Sequence, residues 1–256
     1  MKKLFALVLT LALALSLTAC GGSKEETPAD EGGETGEETV DYTTMSDDEL
    51  KAAITTVTEG TLTVATSPDF APYEFYALDE NKEPQLAGFD MDLAQYIADY
   101  LGLTLEVIPM DFDGTIMELQ NGNVDLGMAG YSPDPDRAEV MDFSDIYITG
   151  GQSFVCIQGN EDKFPSLEAA NNPEYSIGAQ VGSIQAGLAK ENTPDADIVE
   201  LSKVPDIIAE LLTGKLDGAF IETMVAESYA TQYPELSLVL EVPYDAEGAV
   251  VGVTKG

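Results

Sequence analysis

Two periodicities take turns along the chain from about Asp47 onward. Short apolar and β-branched runs, such as TLTVAT at 61–66, read as strands, and apolar positions recurring with the turn of a helix read as helices. In DMDLAQYIADYLG, Met91, Ala94, Ile97, Ala98 and Leu101 fall on one helical face, with Asp90 as the expected N-cap and Gly102 as the stop. A strand follows at 103–109, then a helix capped by Asp113 and stopped by Gly122, then a strand at 124–130. The order recurs as strand 175–180, helix 183–191, strand 197–201, helix 204–214 and strand 216–221. Between the two series, ITGGQSFVCIQ (148–158) reads as an extended crossing segment. Strands alternating with helices argue an α/β fold built on mainly parallel sheets, in two units. ELQNGNVDLGM from Glu118 and ELLTGKLDGAF from Glu210 share the pattern Glu-Leu-x-x-Gly-x-Val/Leu-Asp, at an offset of 210 − 118 = 92 residues. That likeness fits a duplicated unit and equally fits any helix–glycine–strand junction.

The first residues follow neither period. Lys2 and Lys3 precede an apolar run from Leu4, which ends in Leu17-Thr18-Ala19-Cys20. A charged start, an apolar core and small residues before a cut describe a secretory signal over 1–19. Small residues directly before a cysteine resemble the bacterial lipobox, so Cys20 is the expected site of lipidation. An ordinary signal peptide or an uncleaved anchor would leave Cys20 incidental. Residues 20–46 are rich in Gly, Glu and Thr, cannot bury enough surface to order themselves, and read as an acidic tether.

Composition removes several kinds of chemistry. The formal charge of −36 repels phosphate backbones, so no nucleic acid is expected as a partner. The absence of histidine excludes His-based acid–base catalysis, Ser-His-Asp triads and His-containing metal sites. Two cysteines make no disulfide framework, and Cys156 is expected as a buried free thiol. No cofactor or metal is implied, and no Gly-rich phosphate loop of the GxxxxGK(S/T) type is present.

In parallel α/β sheets, ligands bind beyond the carboxyl ends of the strands. Three segments lie at such ends: Ser67–Tyr73, Gly130–Arg137 and Val181–Ser183. The second contains Arg137, the only arginine of the chain.

Five stretches in order resemble the polar amino-acid family of bacterial extracellular solute-binding proteins, the capture subunits of ABC importers. They are VATSPDFAPYEF (64–75), AGFDMDLAQYIADYLGL (87–103), PMDFDGTIMELQNGNVDLGMAGYSPDPDRAEVMDFSD (109–145), IGAQVGSIQ (177–185) and LDGAFIE (216–222). The resemblance implies a two-lobe periplasmic-binding-protein-like (type II) fold, each lobe a mainly parallel sheet flanked by helices, with the ligand cleft between them. It assigns 47–150 to lobe 1, 151–243 to lobe 2, and 244–256 to a strand returning to lobe 1, after which family members continue through a further helix not contained here. Its partners would be a free L-amino acid, ABC permease subunits, and the outer face of the cell membrane through acylated Cys20. The protein would act as a monomer and not as an enzyme.

Residue by residue, the resemblance makes Arg137, five positions after Ser132, the clamp for the ligand α-carboxylate. A planar guanidinium fork binds a carboxylate bidentately, which lysine does not match. Ser132 and the backbone of Ser183 and Ile184 would help, since a helix start offers free N–H groups. The Gly130 carbonyl and the Glu222 carboxylate would receive the α-ammonium, and Phe70 and Phe112 would sandwich the side chain. Glu222 replaces the family's usual Asp, and Ile184 stands where Thr is common. Ser67 stands where members that bind lysine or arginine often carry Asp, so a neutral ligand side chain is expected, with Asp69 and Glu74 close by in sequence. The main rival is an enzyme of the same fold, a cyclohexadienyl dehydratase; a structural lipoprotein is another.

Overall fold

The computed structural model describes residues 42–245 and 248–255. The N-terminal features of the sequence, Cys20 included, lie outside these residues. By its internal contacts the chain divides at Met45/Ser46, and the second unit holds all three sheets of the described residues. Among the described residues, no helix is long and apolar enough to cross a membrane.

The elements run α1 (Asp47–Ala53), β1 (Thr61–Thr66), β2 (Asp69–Phe70), β3 (Glu74–Leu78), β4 (Pro84–Ala87), α2 (Phe89–Leu101), β5 (Thr104–Pro109), α3 (Phe112–Gln120), β6 (Leu126–Tyr131) and β7 (Met141–Phe143). Then come β8 (Gln152–Ile157), α4 (Leu167–Ala170), β9 (Ser176–Gln180), α5 (Ile184–Asn192), β10 (Asp197–Leu201), α6 (Val204–Leu212), β11 (Gly218–Glu222), α7 (Thr223–Gln232), β12 (Leu236–Val242) and β13 (Val250–Thr254).

Two sheets share one plan. The first has the order β5-β1-β6-β13-β7 and the second β10-β9-β11-β8-β12. In each, the strand in fourth place runs against the others: β13 in the first sheet, β8 in the second. Side-chain alternation along the strands feeds a core on both faces. In the first sheet Leu62 and Val64 pack with Ala94 and Ala98 of α2, while Ala65 and Ala129 pack with Phe112 and Leu119 of α3. In the second, Val155 and Ile221 meet Ile207 and Leu211 of α6, while Phe154 and Ile177 meet Ala186 and Ala189 of α5. Each of the Leu, Val, Ile and Phe side chains among these contributes about 1.5–3 kcal/mol on burial, each alanine less.

The repeated Glu-Leu-x-x-Gly-x-Val/Leu-Asp pattern has a structural counterpart in both sheets. Gly122 and Gly214 take positive φ (67° and 72°) just past α3 and α6. There the N–H of Asn123 reaches back to the Glu118 carbonyl (3.0 Å) and that of Lys215 to the Glu210 carbonyl (2.9 Å), the closure of a Schellman turn. The aspartates that follow tie the turn to the first parallel strand of their sheet. Asp125 accepts from the N–H of Thr63 at 2.7 Å, and Asp217 from the N–H of Ser176 at 3.0 Å.

Three local expectations are corrected. Gly88, not Asp90, is the N-cap of α2; Asp90 lies in the first turn, fully buried. The chain enters α2 so close to β3 that a Cβ on Gly88 would stand 2.2 Å from the Tyr73 oxygen, which leaves no room for a capping side chain. Asp111, not Asp113, holds the N-cap position of α3, without a side-chain bond. Most of 148–158 is not a crossing segment, since 152–157 form β8 between β11 and β12.

The chain passes between the sheets at 144–151 and again after β12, where 243–245 and 248–249 are described. These two passages pair, with Ala249 N–H donating to Ile148 O (2.8 Å) and Tyr147 N–H to Ala249 O (3.0 Å). A third, small sheet, β2-β3-β4, was not foreseen from the sequence.

Candidate functional site

Arg137 opens a single 3-10 turn, Arg137–Glu139, beyond the end of β6. The Asp134 carboxylate accepts the N–H groups of Asp136 (2.9 Å) and Arg137 (3.1 Å), folding the Pro/Asp-rich segment so that the arginine points inward. Its guanidinium is nine-tenths buried and donates to Ser132 O (3.3 Å) and, across to the second sheet's side, to Gly182 O (3.0 Å). The rings of Phe112 and Tyr131 lie 5.3 and 5.9 Å from it, within cation–π range. Burial draws its pKa down, opposed by the nearby Asp134 carboxylate. Each ion pair seen among the described residues is made by a lysine, none by Arg137. A guanidinium carries five donors, so most of the fork remains for an anion.

Facing it is the N-terminus of α5. Ser183 is the N-cap, its hydroxyl accepting the Ala186 N–H (3.2 Å) and donating to Gln180 O (2.7 Å). The Ser183 N–H, expected to be free, is taken up by Gln180 O at 3.2 Å because the chain makes a tight turn before the helix. Ile184 then supplies the first N–H of the helix itself. Arg137, Gly182, Ser183 and Ile184 line one open groove of about 730 Å³, together with Asp134 and Tyr244.

Glu222 ends β11 and caps α7 through the Val225 N–H (2.8 Å). It is 4% exposed, and its other oxygen receives the Tyr73 hydroxyl at 3.3 Å. Burial, against these hydrogen bonds, raises its pKa to about 7. Gly130, Ser132 and Glu222 line one small cavity with Tyr73, Gly150 and Gln152. Gly130 has φ +57°, and a Cβ there would stand 2.7 Å from the Phe70 ring, so the backbone approach requires glycine.

The two aromatics belong to different core clusters. Phe112 lies beside the guanidinium within the first sheet's core. Phe70 crosses into the second sheet's core and shares a cavity with Gln180, Gln185, Val204 and Glu222. Ser67 is buried, its hydroxyl donating to Asp69 at 3.1 Å.

Sequence reasoning missed Tyr73, Gly150 and the role of Asp69. The Gly150-Gly151 pair was the available signal, because a Cβ on Gly150 would lie 2.7 Å from Glu222 Oε1. Asp69 accepts the Val204 N–H (3.0 Å) at the start of α6, and its carbonyl receives the Tyr229 hydroxyl (3.0 Å). Burial raises its pKa.

Residues 62–251 match the model of the bacterial extracellular solute-binding proteins, family 3. The arginine-binding extracellular protein ArtP of Bacillus subtilis is 30% identical over 90% of this chain and 76% of its own. The cyclohexadienyl dehydratase of Pseudomonas aeruginosa is 27% identical over 73% of this chain and 68% of its own. Among solved structures, an amino acid ABC transporter substrate-binding protein from Streptococcus pneumoniae bound to L-arginine aligns with TM-score 0.74 and 34% identity, covering 82% of this chain and 85% of that one.

Proposed function

The chain belongs to family 3 of the bacterial extracellular solute-binding proteins, and on that premise we propose that it captures a free L-α-amino acid between its two sheets for the permease of an ABC importer. The observation that carries this reading is Arg137: the only arginine, nine-tenths buried, paired with no carboxylate among the described residues, and set against the start of α5. A desolvated cation of this kind calls for an anion, and an α-carboxylate fits both the fork and the helix N-terminus. Glu222, with the carbonyl of Gly130, supplies the opposite pole for the α-ammonium. A zwitterion thus touches both lobes and binds the closed arrangement better than an open one, which shifts the population. The paired passages around Ile148 and Ala249 would carry that motion.

The ligand side chain would run toward Phe70 and Ser67. A neutral Ser67 favours a neutral or polar amino acid. A cationic one is the second reading, favoured by the Asp69 carboxylate 3.1 Å from the Ser67 hydroxyl and by the arginine-binding relatives. The chain is read as a monomer without catalytic function. Its acids are numerous, and Glu222, whose pKa burial raises to about 7, would serve to hold an ammonium rather than to catalyse.

Anchoring rests on the N-terminal sequence: acylated Cys20 after a signal of residues 1–19, with an acidic tether to the binding domain, would hold the protein on the outer face of the membrane. Energy for transport would come from a separate ATPase. The test is a calorimetric screen of the twenty L-amino acids against residues 46–256. Saturable one-to-one binding of at least one is expected. Binding of none, with turnover of prephenate or arogenate, would favour the dehydratase.

A further inference from the structure

Behind Gly130 lie two carboxyl groups that the ligand site does not use. Glu74 in β3 is 0% exposed, and neither of its carboxylate oxygens meets a hydrogen-bond donor. The group it faces is the carboxyl of Asp90, also 0% exposed. Both oxygens of Asp90 are engaged from the other side: the Gly130 N–H donates to Oδ2 at 3.0 Å and the Tyr147 hydroxyl to Oδ1 at 2.7 Å. Among the described residues, the other ionisable groups that act on the pair are Asp69 and Tyr73 from the β2–β3 side, Tyr131 from β6 and Tyr147 from the first passage, none of them a cation. Two ionised carboxylates cannot share such a space, because each loses its water and repels the other. Asp90 already accepts two fixed donors, so the acid left to carry a proton is Glu74.

We propose that Glu74 and Asp90 share one proton across the neutral range, and that this pair is a positioning element which holds the end of β6 at the ligand site. The Glu74 O–H steadies Asp90, Asp90 holds the Gly130 N–H, and Gly130 and Ser132 are thereby set at the cleft. Glu74 also sits opposite Phe70 in the β2–β3 register, and Tyr147 joins the pair to the passage between the sheets. The positioning role rests on the reading of that cleft as the amino-acid site; the shared proton does not.

Glu74→Gln keeps the shape and a neutral donor, whereas Glu74→Ala leaves Asp90 unsupported. Amino-acid affinity at neutral pH should be unchanged in the first and fall about tenfold in the second. Infrared difference spectra of wild type minus Glu74→Gln at neutral pH should contain the carbonyl stretch of a protonated carboxylic acid. Burial and Asp90 hold the Glu74 pKa well above 4.5, so the folded chain keeps a proton that the unfolded chain has lost. Wild-type stability should therefore fall with rising pH above that value, with a slope steeper by one proton than in Glu74→Gln. Absence of the acid band, or equal slopes, would overturn the shared proton whether or not any amino acid binds. Glu74→Gln losing as much affinity as Glu74→Ala would overturn the positioning role. If Glu74→Ala does not fold, Asp90→Asn, which turns an amide N–H toward the Gly130 or Tyr147 donor, takes its place with the same expected loss.

Discussion

The Asp69 carboxylate in β2 accepts the backbone N–H of Val204 at 3.0 Å, joining the small sheet beside the first lobe to the first turn of α6 in the second. Lys203, the N-cap residue of α6, makes no side-chain cap of its own, so Asp69 caps that helix from across the cleft. On the proposed closure of the lobes, this bond forms as they come together.

Asp69→Ala should therefore favour the open form by about 1 kcal/mol, the usual worth of a cap, and weaken ligand binding about fivefold. Asp69→Asn keeps an acceptor and should bind a neutral amino acid as wild type does. A sharp loss in Asp69→Asn confined to cationic amino acids would assign the carboxylate to the ligand's distal charge. Titration calorimetry of the two variants checks both statements.

If Glu222 receives the α-ammonium as proposed, the site should be pH dependent. Burial raises its pKa to about 7, so the free protein carries a partly protonated group there at neutral pH. An α-ammonium needs the ionised form, and binding must expel the proton. Affinity should rise as pH increases through about 7, with proton release on binding near pH 6 seen as a dependence of the heat on buffer ionisation. Folding stability moves the other way: the folded chain holds this proton above the ordinary glutamate range of about 4.3, so stability in the absence of ligand falls from there toward pH 7. Affinity that is flat from pH 5.5 to 8.5 would contradict the assignment of Glu222 to the ammonium.

The two strand-tying aspartates should differ in worth. Asp125 accepts from Val57 N–H (2.7 Å), Thr63 N–H (2.7 Å) and the Thr63 hydroxyl (2.5 Å), whereas the bond of Asp217 that ties its strand is the Ser176 N–H at 3.0 Å. Asp125→Ala should cost about 2 kcal/mol and Asp217→Ala about 1 kcal/mol. At about 2–4 °C per kcal/mol for a chain of this size, thermal melts resolve the two. Equal midpoints would refute the ranking.

Much of this architecture was legible because each central strand and helix carries its own period. TLTVAT and VPDIIAELLTG read as a strand and a helix, and they are β1 and α6. The repeat at Glu118 and Glu210 was visible, yet its meaning was not, since the partners of Asp125 and Asp217 lie 62 and 41 residues away. Arg137 stood out by composition alone. Asp90 was misread for the opposite reason: an aspartate before an apolar helical face looks like a cap, and only the close approach of Gly88 to Tyr73 reveals that it turns inward. Asp69 and Tyr73 act through contacts made across the cleft, which no local pattern encodes.

The proposed clasp of an amino-acid α-carboxylate by Arg137 is decided by calorimetric titration of Arg137→Ala with the best ligand from the screen. Removing one partner of a desolvated charge pair costs about 2–5 kcal/mol, so binding should fall below detection, with Arg137→Lys recovering only part because it lacks the fork. A folded Arg137→Ala that binds the same amino acid with near wild-type affinity would contradict the account.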